Sequence, residues 1–155
     1  MRPAGERETQ PTASRRAGRA VVAAPGRYEI AADVIPTRVL KDGREYLSGA
    51  DLDRAFPIPL DAVNFAIGRL AEAPDGTLAV GIHTFPTAGR AVNGIELWRD
   101  GRPVGAFVVP QGTFGGGLGW SADGRLVAGV SPDGLHVRLY HRDGTPAGSI
   151  SVTTW

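Results

Sequence analysis

The chain has 155 residues, 42% of them hydrophobic, with 22 Gly, 12 Pro and no Cys. That length is one domain's worth of core, the lack of Cys excludes disulfides and thiolate metal sites, and no run of 18 or more apolar residues is present to form a membrane-spanning helix. The formal charge of +1 hides an asymmetry: residues 1–27 carry six Arg against Glu6 and Glu8, while the remainder holds 11 basic and 14 acidic residues.

Residues 1–26 lack hydrophobic periodicity and are rich in Arg, Ala, Pro and Thr, which predicts a disordered basic tail. Ser14-Arg15-Arg16 followed by Ala20-Val21-Val22-Ala23-Ala24 is similar to a twin-arginine export signal, but five apolar residues fall short of the roughly 7–15 such a segment needs. A cytoplasmic location is therefore the expectation, with export as the alternative. Six Arg without interleaved aromatics do not make a nucleic-acid surface, so no such partner is expected, nor a membrane.

From Tyr28 onward the pattern changes to short apolar runs separated by turn residues. Val39-Leu40-Lys41-Asp42-Gly43-Arg44-Glu45-Tyr46 reads as strand, turn, strand. Ala50 to Phe56 is compatible with a helical turn before Pro57, so residues 27–60 read as a degenerate repeat. Within it, Asp51-Leu52-Asp53 would set two carboxylates on one side of a strand, as Ca²⁺ binding or acid/base work requires. No third ligand stands nearby, and a solvated turn is the simpler reading.

Residues 61–110 form a clearer unit. Phe65 to Leu70, Thr77 to Ile82, Gly94 to Arg99 and Pro103 to Val109 are predicted strands, joined by turns at Asp75-Gly76 and Asp100-Gly101. The second and third are separated by a long connection, 83–93, that contains His83, Phe85 and Asn93. Residues 111–155 repeat the plan, with strands at Gly117 to Trp120, Arg125 to Val130, Leu135 to His141 and Ala147 to Val152. In the third of these, Leu135, Val137 and Leu139 alternate with His136, Arg138 and Tyr140. Each Asp-Gly suits a tight hairpin, because Gly prefers positive φ and Asp tolerates it.

The equivalent turns recur after 48 residues (Asp75 to Asp123) and 43 residues (Asp100 to Asp143), the length of one β-propeller blade. The order Trp120-Ser121-Ala122-Asp123-Gly124-Arg125-Leu126-Val127-Ala128, then Val137-Arg138-Leu139-Tyr140 and Asp143-Gly144, resembles the repeats of WD40-like, NHL-like and TolB-like β-propellers. The likeness covers residues 67–152 and extends weakly to 28–60, with Trp98-Arg99 and Tyr140-His141 standing where WD40 repeats have Trp-Asp. It implies an all-β fold of two to three antiparallel four-stranded blades. Propellers close with about four to eight blades, so these would form an incomplete ring or an open stack. Completion by a second copy, curling into a sandwich or barrel, and membership of a longer protein all remain open.

No residue set announces a reaction. Gly115-Gly116-Gly117-Leu118-Gly119-Trp120-Ser121-Ala122 contains a dinucleotide-type glycine spacing, but an Asp-Gly turn follows where a helix is needed, so a flexible inter-blade connection is expected. His136 and His141 are five apart and face opposite ways along a regular strand. Ser121, Ser131 and Ser149 lack a nucleophile-elbow setting. The residues chosen as ligand contacts are His83, Phe85 and Asn93 from the long connection, with Phe114 and Trp120 flanking the glycine run. The function expected is a non-catalytic binding or interaction module, needing no cofactor, whose partner is a protein, a small molecule or a second copy completing the ring. The alternative is a metal-dependent hydrolase: Ala71-Glu72-Ala73-Pro74 resembles the Glu-Gly-Pro opening of gluconolactonase- and regucalcin-type lactonases, which makes Glu72 its metal-ligand candidate.

Overall fold

Six Asp-Gly pairs turn this chain, and they do so in two ways. In Asp42-Gly43 and Asp100-Gly101 both residues have positive φ (52° and 80°, 52° and 76°), the conformation of a two-residue hairpin turn whose twist matches its strands. At Asp75, Asp123, Asp133 and Asp143 only the following Gly has positive φ. There the Asp carboxylate accepts a backbone N–H two residues on, from Thr77, Arg125, Leu135 and Thr145, at 2.9–3.0 Å. The side chain thus supplies the turn's own hydrogen bond.

The computed structural model describes residues 27–58, 65–85 and 91–151. The basic segment 1–26 and the middle of the long connection lie outside them. The first sheet contains β1 (Tyr28–Ile30), β2 (Val39–Lys41) and β3 (Arg44–Leu47), followed by a short helix, α1 (Gly49–Ala55). The second contains β4 (Phe65–Glu72), β5 (Leu78–Thr84), β6 (Asn93–Arg99) and β7 (Arg102–Val109). The third contains β8 (Gly117–Trp120), β9 (Leu126–Val130), β10 (His136–His141) and β11 (Pro146–Ser151). All pairings are antiparallel between sequential strands, a meander repeated three times. The protein is all-β, and among the described residues its three sheets do not close into a barrel.

The first sheet has three strands rather than four, and α1 completes its cover. Ser48 caps this helix: the Asp51 N–H donates to Ser48 Oγ at 3.1 Å, and the Ser48 N–H donates to Asp51 Oδ2 at 2.9 Å. That corrects the reading of Asp51-Leu52-Asp53 as strand or solvated turn. Asp51 is a capping residue that also accepts from Arg54 at 2.7 Å, and Leu52 between the two carboxylates is fully buried.

The sheets stack face to face over two cores. Between the first and second lie Val39, Leu47, Leu52, Phe56, Ile67, Leu78, Val80, Ile82 and Trp98. Between the second and third lie Ala79, Ile95, Leu97, Phe107, Val109, Phe114, Val127 and Tyr140. Alternation along β5 and β6 sends successive residues to opposite cores, which is why these two strands read as nearly continuous apolar runs. Trp98 and Tyr140, at equivalent places in the repeat, each fill the gap toward the preceding sheet. Such packing between successive four-stranded meanders is compatible with blade-like repeats.

Candidate binding site

His83 opens the site, and its position differs from expectation. Strand β5 runs through Thr84, so His83 is a strand residue rather than part of a loop, and Asn93 begins the facing strand β6 as its direct partner. The pairing continues because Thr84 bridges the departing chain: its hydroxyl donates to the Val92 carbonyl at 2.6 Å and accepts the Val92 N–H at 3.1 Å. Alternation then puts His83 on the face that meets the third sheet.

On that face the 110–116 connection folds inward. Phe114 is fully buried, its ring lying over Gly81 and 4.9 Å from the His83 imidazole. The imidazole itself lies over Gly68, the bulged residue of β4, where a side chain would run into it. Asn93, 2% exposed, links the strand to the connection. Its amide fits its surroundings with the nitrogen toward the Val92 carbonyl and the oxygen toward the Gly112 N–H, both at 3.2 Å, leaving the amide 3.4 Å from His83 Nδ1. His83, Asn93 and Phe114 are therefore one cluster. It bolts the connection between the sheets to the middle of the structure.

The glycine-rich segment is correspondingly packed, not loose. The Thr113 hydroxyl donates to the Pro110 carbonyl at 2.6 Å, and the Gly116 N–H donates to Val130 at 2.8 Å. Arg69 of β4 donates to the Gly115 carbonyl at 2.7 Å. Gly116 and Gly129 both touch backbone closely enough that a side chain at either would collide with it.

Two other chosen residues stand apart from this cluster. Phe85 is 55% exposed just beyond β5. Trp120 sits at the opposite end of β4 from His83, where its Nε1–H donates to the Ala71 carbonyl at 2.9 Å and the Arg142 guanidinium stacks 4.8 Å from its ring. Glu72 lies 3.7 Å from Arg27. Among the described residues no three His, Cys, Asp or Glu side chains gather in a way that would hold a metal ion.

The two ends of the stack differ. The outer face of the first sheet carries Glu29, Leu40 and Glu45 in register, with Arg38 bonded to Asp33 at 2.9 Å and reaching Glu45 at 3.5 Å. The outer face of the third sheet carries Leu126, Ala128, Val130, Val137 and Leu139, all half-buried, and Ile150, which is 53% exposed, with the exposed His141 opposite Leu126 at its end. Gly117 and Gly119 keep its β8 edge flat, with open space above Gly119. One end is charged and the other apolar. No protein-family model, curated protein or solved structure matches this chain.

Proposed function

We propose that this protein is a non-catalytic interaction module of β-propeller-type blades, akin to WD40-like, NHL-like or TolB-like repeats, working in the cytoplasm. The blade reading is supported by the recurrence of Asp-Gly turns at equivalent hairpins and of Trp98 and Tyr140 in equivalent packing roles. The observation that carries the interaction reading is the largely apolar outer face of the third sheet, on which no other described element packs. Stacked repeats need a polar outer surface at each end, and among the described residues the first sheet has one while the outer face of the third is mostly apolar.

The occupant of that face is a second copy of the chain, third sheet against third sheet. A two-copy ring would instead press Leu126, Val130 and Leu139 onto the Glu29, Arg38 and Glu45 surface. That arrangement desolvates Glu29 and the Arg38–Asp33–Glu45 ion pairs, whereas like faces bury mainly apolar groups, with His141 alone as a polar side chain among their β9 and β10 residues. Light scattering tests the proposal: the 16.3 kDa chain is expected at twice that mass at micromolar concentration. Leu139→Glu should return it to a monomer with unchanged circular dichroism, and Glu45→Lys should leave the dimer intact. A monomeric parent chain, or a dimer that survives Leu139→Glu, overturns it.

A further inference from the structure

Strand β11 is exposed along its whole length, and a cleft lies between it, β10 and the end of β7. The cleft has two parts that share Arg138 and Ser149. The wider part, about 600 Å³, is walled by Val108, Pro110, Tyr140 and Pro146. The narrower part, about 260 Å³, is lined by Gln111, Ser131, His136 and Ser151. Ligand sites for small organic molecules run from about 300 to 1,000 Å³ and combine an apolar wall with a few converging polar groups.

The charge of this cleft is one-sided. Among the described residues no Asp or Glu lines either part, and no described carboxylate lies within ion-pairing distance of Arg138. Register explains the grouping: His136 and Arg138 share a face of β10 and stand directly opposite Ser151 and Ser149 of β11. The His136 Nδ1 and Ser151 Oγ atoms are 3.3 Å apart, which holds the imidazole at the rim. At the equivalent place one sheet earlier the repeat has Glu96, fully buried. Arg138 thus occupies a packing position, but over an opening instead of a core.

We propose that this cleft binds an organic carboxylate, its carboxylate on Arg138 and the flanking hydroxyls, its apolar body against Pro110, Tyr140 and Pro146. A guanidinium presents a planar fork that matches one carboxylate with two parallel bonds. A single cation balances a monoanion, whereas a phosphate group would bring about two charges and leave one unmatched. Arg138 and His136 lie on the opposite side of β10 from the apolar outer face, so the carboxylate contact does not depend on self-association.

The probe is 3-phenylpropionate, followed by amide chemical shifts of the labelled full chain. Saturable shifts are expected around residues 108–113 and 136–151, and 3-phenylpropionamide, which keeps the body and loses the charge, should bind about ten-fold more weakly. Arg138→Gln should weaken the acid by about the same factor and leave the amide unchanged, while Pro146→Ser should weaken both. A well-dispersed spectrum of each variant establishes that it is folded. The proposal is overturned by equal affinity for acid and amide, by an Arg138→Gln protein that binds the acid normally, by inorganic phosphate binding there more tightly than the acid, or by no saturable shift.

Discussion

Arg142 Nη2 lies 3.0 Å from Asp75 Oδ2 and ties the β10–β11 turn of the third sheet to the β4–β5 turn of the second. The same guanidinium donates to the Gly124 carbonyl from Nε and Nη2 at 3.0 and 2.7 Å and to Thr77 Oγ1 at 2.9 Å. Its flat face stacks on Trp120. One side chain therefore joins three turns of two sheets, and Arg99, which likewise precedes an Asp-Gly turn, reaches Asp75 at 3.7 Å.

Replacing Arg142 should loosen the contact between these sheets. Arg142→Ala is expected to cost about 1–3 kcal/mol, the range for losing hydrogen bonds to a charged group. Arg142→Lys should recover only part of it, because an ammonium cannot reproduce the fork or the stacking. Urea denaturation with Trp fluorescence reads both. A cost within error for Arg142→Ala would show that solvent screens the cluster completely.

Acid should reveal the same clamp. The hydrogen bond from Arg142, reinforced by the Thr77 N–H, holds the Asp75 carboxyl at about 2, below its ordinary 3.8. The unfolded chain takes up the proton first, so the contribution is complete above about pH 4 and is lost as pH falls toward 2. In Arg142→Ala the acid limb of the stability curve should be shallower over that range. Identical acid limbs for the two proteins would remove Asp75 as its source.

Glu96 has the opposite sign. It is fully buried beside core residues of the first interface; Trp98 Nε1–H donates to its Oε1 at 2.8 Å, and Oε2 has no partner among the described residues. Burial pushes its carboxyl up to about 8 from 4.5, so the folded protein keeps a proton that the unfolded chain releases. Stability should fall as pH rises from about 4.5 to about 8 and then level off. Glu96→Gln keeps an acceptor for Trp98 without a titrating group. It should match the parent near pH 5 and exceed it at pH 9 by on the order of 3 kcal/mol. Parallel curves for the two proteins across this range would refute the account.

Gly129 tests the close approach of the 110–116 connection to β9. A Cβ there would sit 2.6 Å from the Thr113 carbonyl oxygen, and backbone cannot rotate aside. Gly129→Ala is expected to cost about 1–3 kcal/mol, the usual penalty of overpacking. Gly49→Ala is the control: at the first residue of α1 its Cβ would meet Thr37 at an ordinary 3.4 Å, and a gain of about 0.5 kcal/mol is expected from helix propensity. Thermal melts of the pair should move in opposite directions.

The strands of the second and third sheets were legible almost to the residue, because Asp-Gly pairs punctuate a period-two pattern. Glu96 was not legible, since an acidic residue among apolar ones in Ile95-Glu96-Leu97-Trp98 carries no mark that both faces of its sheet are covered. His83 was misplaced because the apolar pattern stops at Ile82, while Thr84 extends the pairing through a hydroxyl that no periodicity records. Alternation separates His136, Arg138 and Tyr140 from Leu135, Val137 and Leu139 but does not say which set faces inward; the structure puts Tyr140 in the core and Arg138 and His136 beside a cleft.

Local chemistry, then, determined the turns, the strands and the repeat, because the preferences of Asp-Gly and the two-residue period of a strand act between near neighbours. Tertiary structure alone decided which face of each strand is inside. It made His83, Asn93 and Phe114 one cluster, set Arg142 across two sheets, and left one end of the stack charged and the other apolar. Those outcomes depend on which sheet lies against which, and that is a property of residues tens of positions apart.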